Sequence, residues 1–110
     1  MKSVFHVSDS DLVSVALGGV QNLLDDDSVE IDEIAVIANG KAVEKFIKGS
    51  SLEENIVNLL HQGVVIRVCS NSLKAFGVSE GDLIKDVEGV ASGVGELTKL
   101  QNNGYAYIRI

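Results

Sequence analysis

Val64-Val65-Ile66-Arg67-Val68-Cys69-Ser70-Asn71-Ser72-Leu73 passes from a β-branched apolar run to three small polar residues and then to an apolar anchor. The run reads as a strand buried on both faces, and Ser70 onward as the start of a helix. A strand-to-helix turn of this kind points its residues at the carboxyl end of a sheet, where α/β proteins bind ligands.

The same alternation continues on either side. Lys2 to Val7 is a first strand. Ser8 and Asp11 form a variant capping box for a helix through Leu12, Val13, Ala16, Leu17, Val20, Leu23 and Leu24. Gly18-Gly19 weakens that helix by about 1 kcal/mol per glycine. Ile31 to Ala38 is a second strand ending in the turn signal Asn39-Gly40. Ala42, Val43, Phe46 and Ile47 form a short helical face stopped by Gly49. Ser51-Leu52-Glu53-Glu54 is a capping box for a helix through Ile56, Leu59 and Leu60, which Gly63 ends. After the third strand, Leu73, Ala75 and Phe76 belong to a helix stopped by Gly77. Ser79 caps a short turn, Val87 to Ala91 is a weak fourth strand, and Ser92 to Asn103 is a helix through Val94, Leu97 and Leu100. Tyr105 to Ile110 closes the chain as a fifth strand.

Strands alternating with helices predict parallel strands, right-handed crossovers and helices on both faces. The 110 residues make one domain, residues 1–110. Val, Ile and Leu carry the packing, since hydrophobic residues are 45% of the chain and aromatics only 5%.

Several function classes fall away. The net charge of −7 with scattered basic residues argues against a nucleic-acid surface. No apolar stretch reaches the length of a membrane span, and the short apolar start is no signal peptide; a cytoplasmic protein is the default. One cysteine excludes an internal disulfide framework and a Cys-x-x-Cys dithiol. Two isolated histidines and one cysteine do not make a zinc site by spacing, so neither a metal nor a cofactor is expected. Asp25-Asp26-Asp27 reads as a solvated loop. Ser92-Gly93-Val94-Gly95 lacks the Lys-Ser/Thr ending of a phosphate loop.

The strand ends gather the chemistry. A lone cysteine closing a buried strand is usually an inert small apolar residue. Against that, Ser70, Asn71 and Ser72 are small and polar, and their N–H groups and hydroxyls could solvate a thiolate or persulfide. His6, near the end of the first strand, is either a proton donor or ligand-orienting group, or a histidine hydrogen-bonded within the structure. Asn39-Gly40 is either a plain turn or a presenter of backbone groups to a ligand. His61, at a helix end, is structural.

The order and spacing of several motifs resemble the DsrE/DsrF-like family, which includes YchN-like and TusD-like proteins. They are Phe5-His6-Val7-Ser8-Asp9, Val36-Ile37-Ala38-Asn39-Gly40, Gly63 through Leu73, Gly93-Val94-Gly95-Glu96-Leu97 to Gln101, and Gly104-Tyr105-Ala106-Tyr107-Ile108. The resemblance implies a three-layer α/β/α sandwich with a mainly parallel five-stranded sheet, and homo- or hetero-oligomers, commonly trimers or hexamers. Some members carry sulfur as a cysteine persulfide in sulfur oxidation or tRNA thiolation, on a cysteine in the loop after a central strand. Cys69 matches that position. The expectation is a persulfide carrier exchanging sulfur with donor and acceptor proteins, supported by Ser70, Asn71, Ser72, Asn39, Gly40 and His6. The alternative is an oligomeric ligand-binding or scaffold protein that performs no chemistry, and a redox sensor acting through oxidation of Cys69 is a third reading.

Overall fold

The computed structural model describes residues 1–110. Strands β1 (Lys2–Val7), β2 (Glu33–Ala38), β3 (Val65–Cys69), β4 (Glu88–Val90) and β5 (Tyr105–Arg109) form one sheet in the order β4-β3-β2-β1-β5. Every pairing in it is parallel. The helices are α1 (Val13–Leu24), α2 (Glu53–His61), α3 (Ser70–Ala75) and α4 (Gly93–Asn102), with 3₁₀ segments at Ser10–Leu12, Gly40–Phe46 and Glu80–Asp82. The α/β class and the five strands are as expected.

Topology makes the two faces unequal. From β1 to β4 the chain steps across the sheet in one direction; from β4 to β5 it returns past three strands. A right-handed crossover places its helix on one face for one direction of step and on the other face for the reverse. So α1, the 40–46 segment, α2 and α3 share a face, and α4 covers the other alone. The cores follow. On the thick face, Phe5, Val7, Val36, Ile66 and Val68 pack with Val20, Phe46, Ile56 and Leu73 in a cluster of 21 buried residues. On the thin face, Val4, Ala35 and Ile37 meet Leu97 and Leu100 of α4 in a cluster of 5, with partly buried Val65 and Tyr105 against it. Arg67 of β3 pins α4 down through an ion pair with Glu96 at 2.5 Å.

Several local expectations change. Ser8 does not cap the first helix: Asp9 stands at the start of the 3₁₀ segment, no side chain caps it, and the Ser8 hydroxyl turns to Asn39. Ser51 is not the cap of α2, which starts after Leu52; Ser50 Oγ accepts from the Leu52 N–H, and Glu53 accepts from the Gly49 N–H. The segment after Asn39-Gly40 is 3₁₀ rather than α. Val94 is 65% exposed, because α4 rests on Gly93, Leu97 and Leu100. Ser92 does cap α4, accepting from the Gly95 N–H at 3.0 Å. Asp25, Asp26 and Asp27 are exposed, and Asp26 accepts from the hydroxyl and N–H of Ser28.

Candidate functional site

β3 hands the chain to α3 on the thick face, whereas β4 hands it to α4 on the thin face. Neighbouring strands whose connections diverge in this way open a crevice at their carboxyl ends, the usual ligand site of an open α/β sheet. Cys69 ends β3 and pairs with Val90, which ends β4. Strand alternation sends the Val68 side chain into the thick core and Cys69 to the thin side, against Gly93. A Cβ on Gly93 would lie 3.5 Å from the Cys69 Cβ and 3.3 Å from the Asn39 Cβ. Glycine at this position lets the start of α4 approach the sulfur.

Burial pushes the Cys69 thiol up, but the Ser72 hydroxyl and the N–H groups of Gly93, Ser72 and Asn71 outweigh it and leave the thiol below its usual value. These donors favour the thiolate over the neutral thiol. Ser72 is itself held: its Oγ accepts from the Gly40 N–H at 2.8 Å, which leaves the hydroxyl proton for the sulfur. Gly40 has φ of 57°, and a Cβ there would meet the Ser8 carbonyl oxygen at 3.1 Å, so glycine is needed to bring this N–H to Ser72.

A second cluster adjoins the first through Asn39. Asn39 Oδ1 lies 2.6 Å from Ser8 Oγ and 3.0 Å from His6 Nε2. Tyr107 OH is 2.6 Å from His6 Nδ1. Arg109 Nη1 donates to Ser8 Oγ at 2.9 Å and stands 3.1 and 3.3 Å from the two His6 ring nitrogens, a position over the ring. Burial, offset by the hydrogen bond to Asn39 and reinforced by the Arg109 charge, lowers the His6 pKa below its usual value. A neutral imidazole that donates from Nε2 to Asn39 must accept at Nδ1, and the Tyr107 hydroxyl supplies that proton.

The structure therefore joins Cys69, Ser72, Gly40, Asn39 and His6 in one continuous arrangement. Ser70 does not join it: its Oγ donates to Glu80 at 2.8 Å. Asn71 contributes its backbone N–H, while its residue is exposed. Sequence reading missed Gly93, Ser8, Tyr107 and Arg109 as parts of the site. The available signal was the alternation Tyr105, Tyr107, Arg109 on the closing strand, which puts three polar-tipped side chains on one face. Cys69 is 6% exposed. A hollow of about 180 Å³ lined by Val90, Ala91, Ser92, Gly95, Glu96 and Lys99 runs along the start of α4, and Cys69 does not line it. No grouping of three or more His, Cys, Asp or Glu could hold a metal ion. No helix is long and apolar enough to cross a membrane.

A parallel five-stranded α/β domain with a cysteine among thiolate-stabilising donors at the switch crevice defines the class of this protein. The DsrE/DsrF-like family model matches residues 13–110, and the chain belongs to that family. It is similar to the solved structure of a protein of unknown function, MTH1491, from Methanobacterium thermoautotrophicum: 34% identity, TM-score 0.89, covering 99% of this chain and 98% of the other. The YchN protein of E. coli shares the fold at 17% identity and TM-score 0.84, each chain covered completely. BT1422 of Bacteroides thetaiotaomicron, also of unknown function, does so at 20% identity and TM-score 0.69, over 99% of this chain and 94% of that one. Among functionally curated proteins no match is found.

Proposed function

We propose that this protein is a persulfide carrier whose reacting atom is Cys69 Sγ. The observation that carries the reading is the place of Cys69 at the carboxyl end of β3, closely approached by Gly93 at the start of α4, where the Ser72 hydroxyl and nearby N–H groups hold its thiol below the usual value. Membership of the DsrE/DsrF-like family supports a sulfur-relay-related role. In the loading step the Cys69 thiolate attacks the outer sulfur of a donor R–S–SH. The Sγ–S bond forms, the donor S–S bond breaks, and R–S⁻ leaves with the electron pair. Cys69–S–SH then gives the same sulfur to an acceptor thiolate by the reverse exchange. Donor groups that stabilise the resting thiolate also stabilise Cys69 as the leaving group in that second step.

The setting of the proposal is a cytoplasmic homo-oligomer, a trimer or hexamer, working between donor and acceptor proteins. What supports assembly is β5: it is an edge strand, α4 is the only helix on its thin side, and Tyr107 is 42% exposed. A second reading, a ligand-binding or scaffold protein without chemistry, is favoured by one observation, the 6% exposure of Cys69. Intact-mass spectrometry after brief exposure to inorganic polysulfide separates the two. The carrier gains one sulfur on wild type, removable by mild reductant, and none on Cys69→Ser. A folded wild type that gains nothing sinks the carrier reading and leaves the binding one.

A further inference from the structure

The second cluster has a direction. Arg109 Nη1 donates to Ser8 Oγ, so the Ser8 proton is directed to Asn39 Oδ1. Tyr107 donates to His6 Nδ1, so His6 Nε2–H also points to Asn39 Oδ1. Two donors thus end on one oxygen, and this pattern holds the carboxamide with Oδ1 toward them: exchanging its O and N would require the other His6 tautomer and a turned Ser8 hydroxyl. The amide nitrogen Nδ2 has no hydrogen-bond partner in the protein and is open to solvent rather than sealed in the core. Asn39 follows β2, between β1, which bears His6, and β3, which bears Cys69. Its Oδ1 faces the β1 side, and around Gly93 its Cβ, the Cys69 Cβ and Ile37 Cγ2 stand 3.3, 3.5 and 3.6 Å from the position a Cβ on Gly93 would take.

We infer that Asn39 Nδ2 is the hydrogen-bond donor for the outer sulfur of a Cys69 persulfide, and that His6, Ser8, Tyr107 and Arg109 are positioning residues that hold the carboxamide in that orientation. The inference rests on the carrier reading and deepens it. The resting thiolate already has its own donors, and Asn39 is not among them. The outer sulfur is the larger, more diffuse anion once Cys69–S–S⁻ forms, and it extends beyond the reach of the backbone N–H groups at Sγ. A donor set back from Sγ and aimed by its own network is suited to that second atom.

The test is the sulfur-exchange equilibrium between the protein and a small-thiol persulfide, read by intact mass, beside the pH profile of Cys69 alkylation. Asn39→Ala is expected to lower sulfur uptake about tenfold, the loss of one hydrogen bond to a charged group. Asn39→Asp keeps the oxygen that His6 and Ser8 bind but removes the donor, and is expected to lose at least as much. A merely structural Asn39 would leave uptake at wild type in a folded Asn39→Ala. His6→Gln is expected to lower uptake in the wild-type background and to add nothing to Asn39→Ala. Tyr107→Phe changes an exposed residue without loss of packing and is expected to lower uptake about threefold. The alkylation profile stays at wild type in Asn39→Ala, His6→Gln and Tyr107→Phe and moves to higher pH in Asn39→Asp, whose carboxylate disfavours the thiolate. Wild-type uptake in both Asn39 variants, with Cys69 loading normally, overturns the inference and spares the carrier reading. No uptake by the folded wild type overturns both.

Discussion

The two faces of the sheet are built for different ends. The thick face buries side chains from α1, the 40–46 segment, α2 and α3 in a cluster of 21 residues. The thin face has five buried residues in its cluster, and Cys69, Arg67, His6, Tyr107 and Arg109 lie on it. Stability resides on the first face and polar chemistry on the second. The asymmetry follows from strand order: one backward crossover supplies one helix to the thin side, so part of it is left for polar groups.

The sharpest way to break that comparison is to damage each core and read both stability and the thiol. Phe46 is fully buried on the thick face. Phe46→Ala is expected to cost about 3–5 kcal/mol in urea unfolding while leaving the alkylation pH profile of folded Cys69 unchanged. Leu97→Ala on the thin face is expected to cost about 2–3 kcal/mol and also to raise the Cys69 thiol pKa, because α4 carries the Gly93 N–H. A Phe46→Ala thiol shift as large as that of Leu97→Ala would erase the division between the faces.

Gly93→Ala sharpens it further. The added Cβ would press on the Asn39 Cβ at 3.3 Å and the Cys69 Cβ at 3.5 Å. The expected destabilisation is about 1 kcal/mol, at the low end for overpacking, since these contacts need only small shifts. The expected effect on the thiol is larger than on stability: α4 moves out, the Gly93 N–H leaves Sγ, and the alkylation profile shifts to higher pH. A profile that stays at wild type would remove the helix start from the account of Cys69.

How much of this was legible follows from sequence distance. The Cys69 side of the site is local: a strand, its last residue and the next three positions fall within one reading window, and so the cysteine and Ser72 stand out. The His6 side is assembled from β1, β2 and β5, with Tyr107 and Arg109 bonded to His6 across 101 and 103 positions. No local pattern announces such a pairing; only strand order does, and order 4-3-2-1-5 cannot be read from alternation alone. Ser8 shows the same limit. Its position before a helix spelled a cap, yet Asn39 and Arg109 supply partners that a local reading lacks. Gly93 was visible as part of a glycine-rich run but only packing reveals why it is small.

The smallest effects are pH dependences, and the two halves of the site act in different pH ranges. His6 has its pKa lowered in the folded state from 6.5, chiefly by burial. Its contribution to stability is complete above that pH and is lost as pH falls toward the folded value, because the unfolded chain then binds the proton more readily. Cys69 also has its folded pKa lowered, from 9.0. The ionised form is the charged one here, so its contribution is complete above pH 9.0 and is lost as pH falls through the folded value. Urea unfolding of wild type should therefore differ in pH slope from His6→Gln only below 6.5, and from Cys69→Ser only below 9.0. An acid-side slope that survives His6→Gln would assign that loss to carboxylates such as Asp32, whose pKa is lowered by the N-terminal amine.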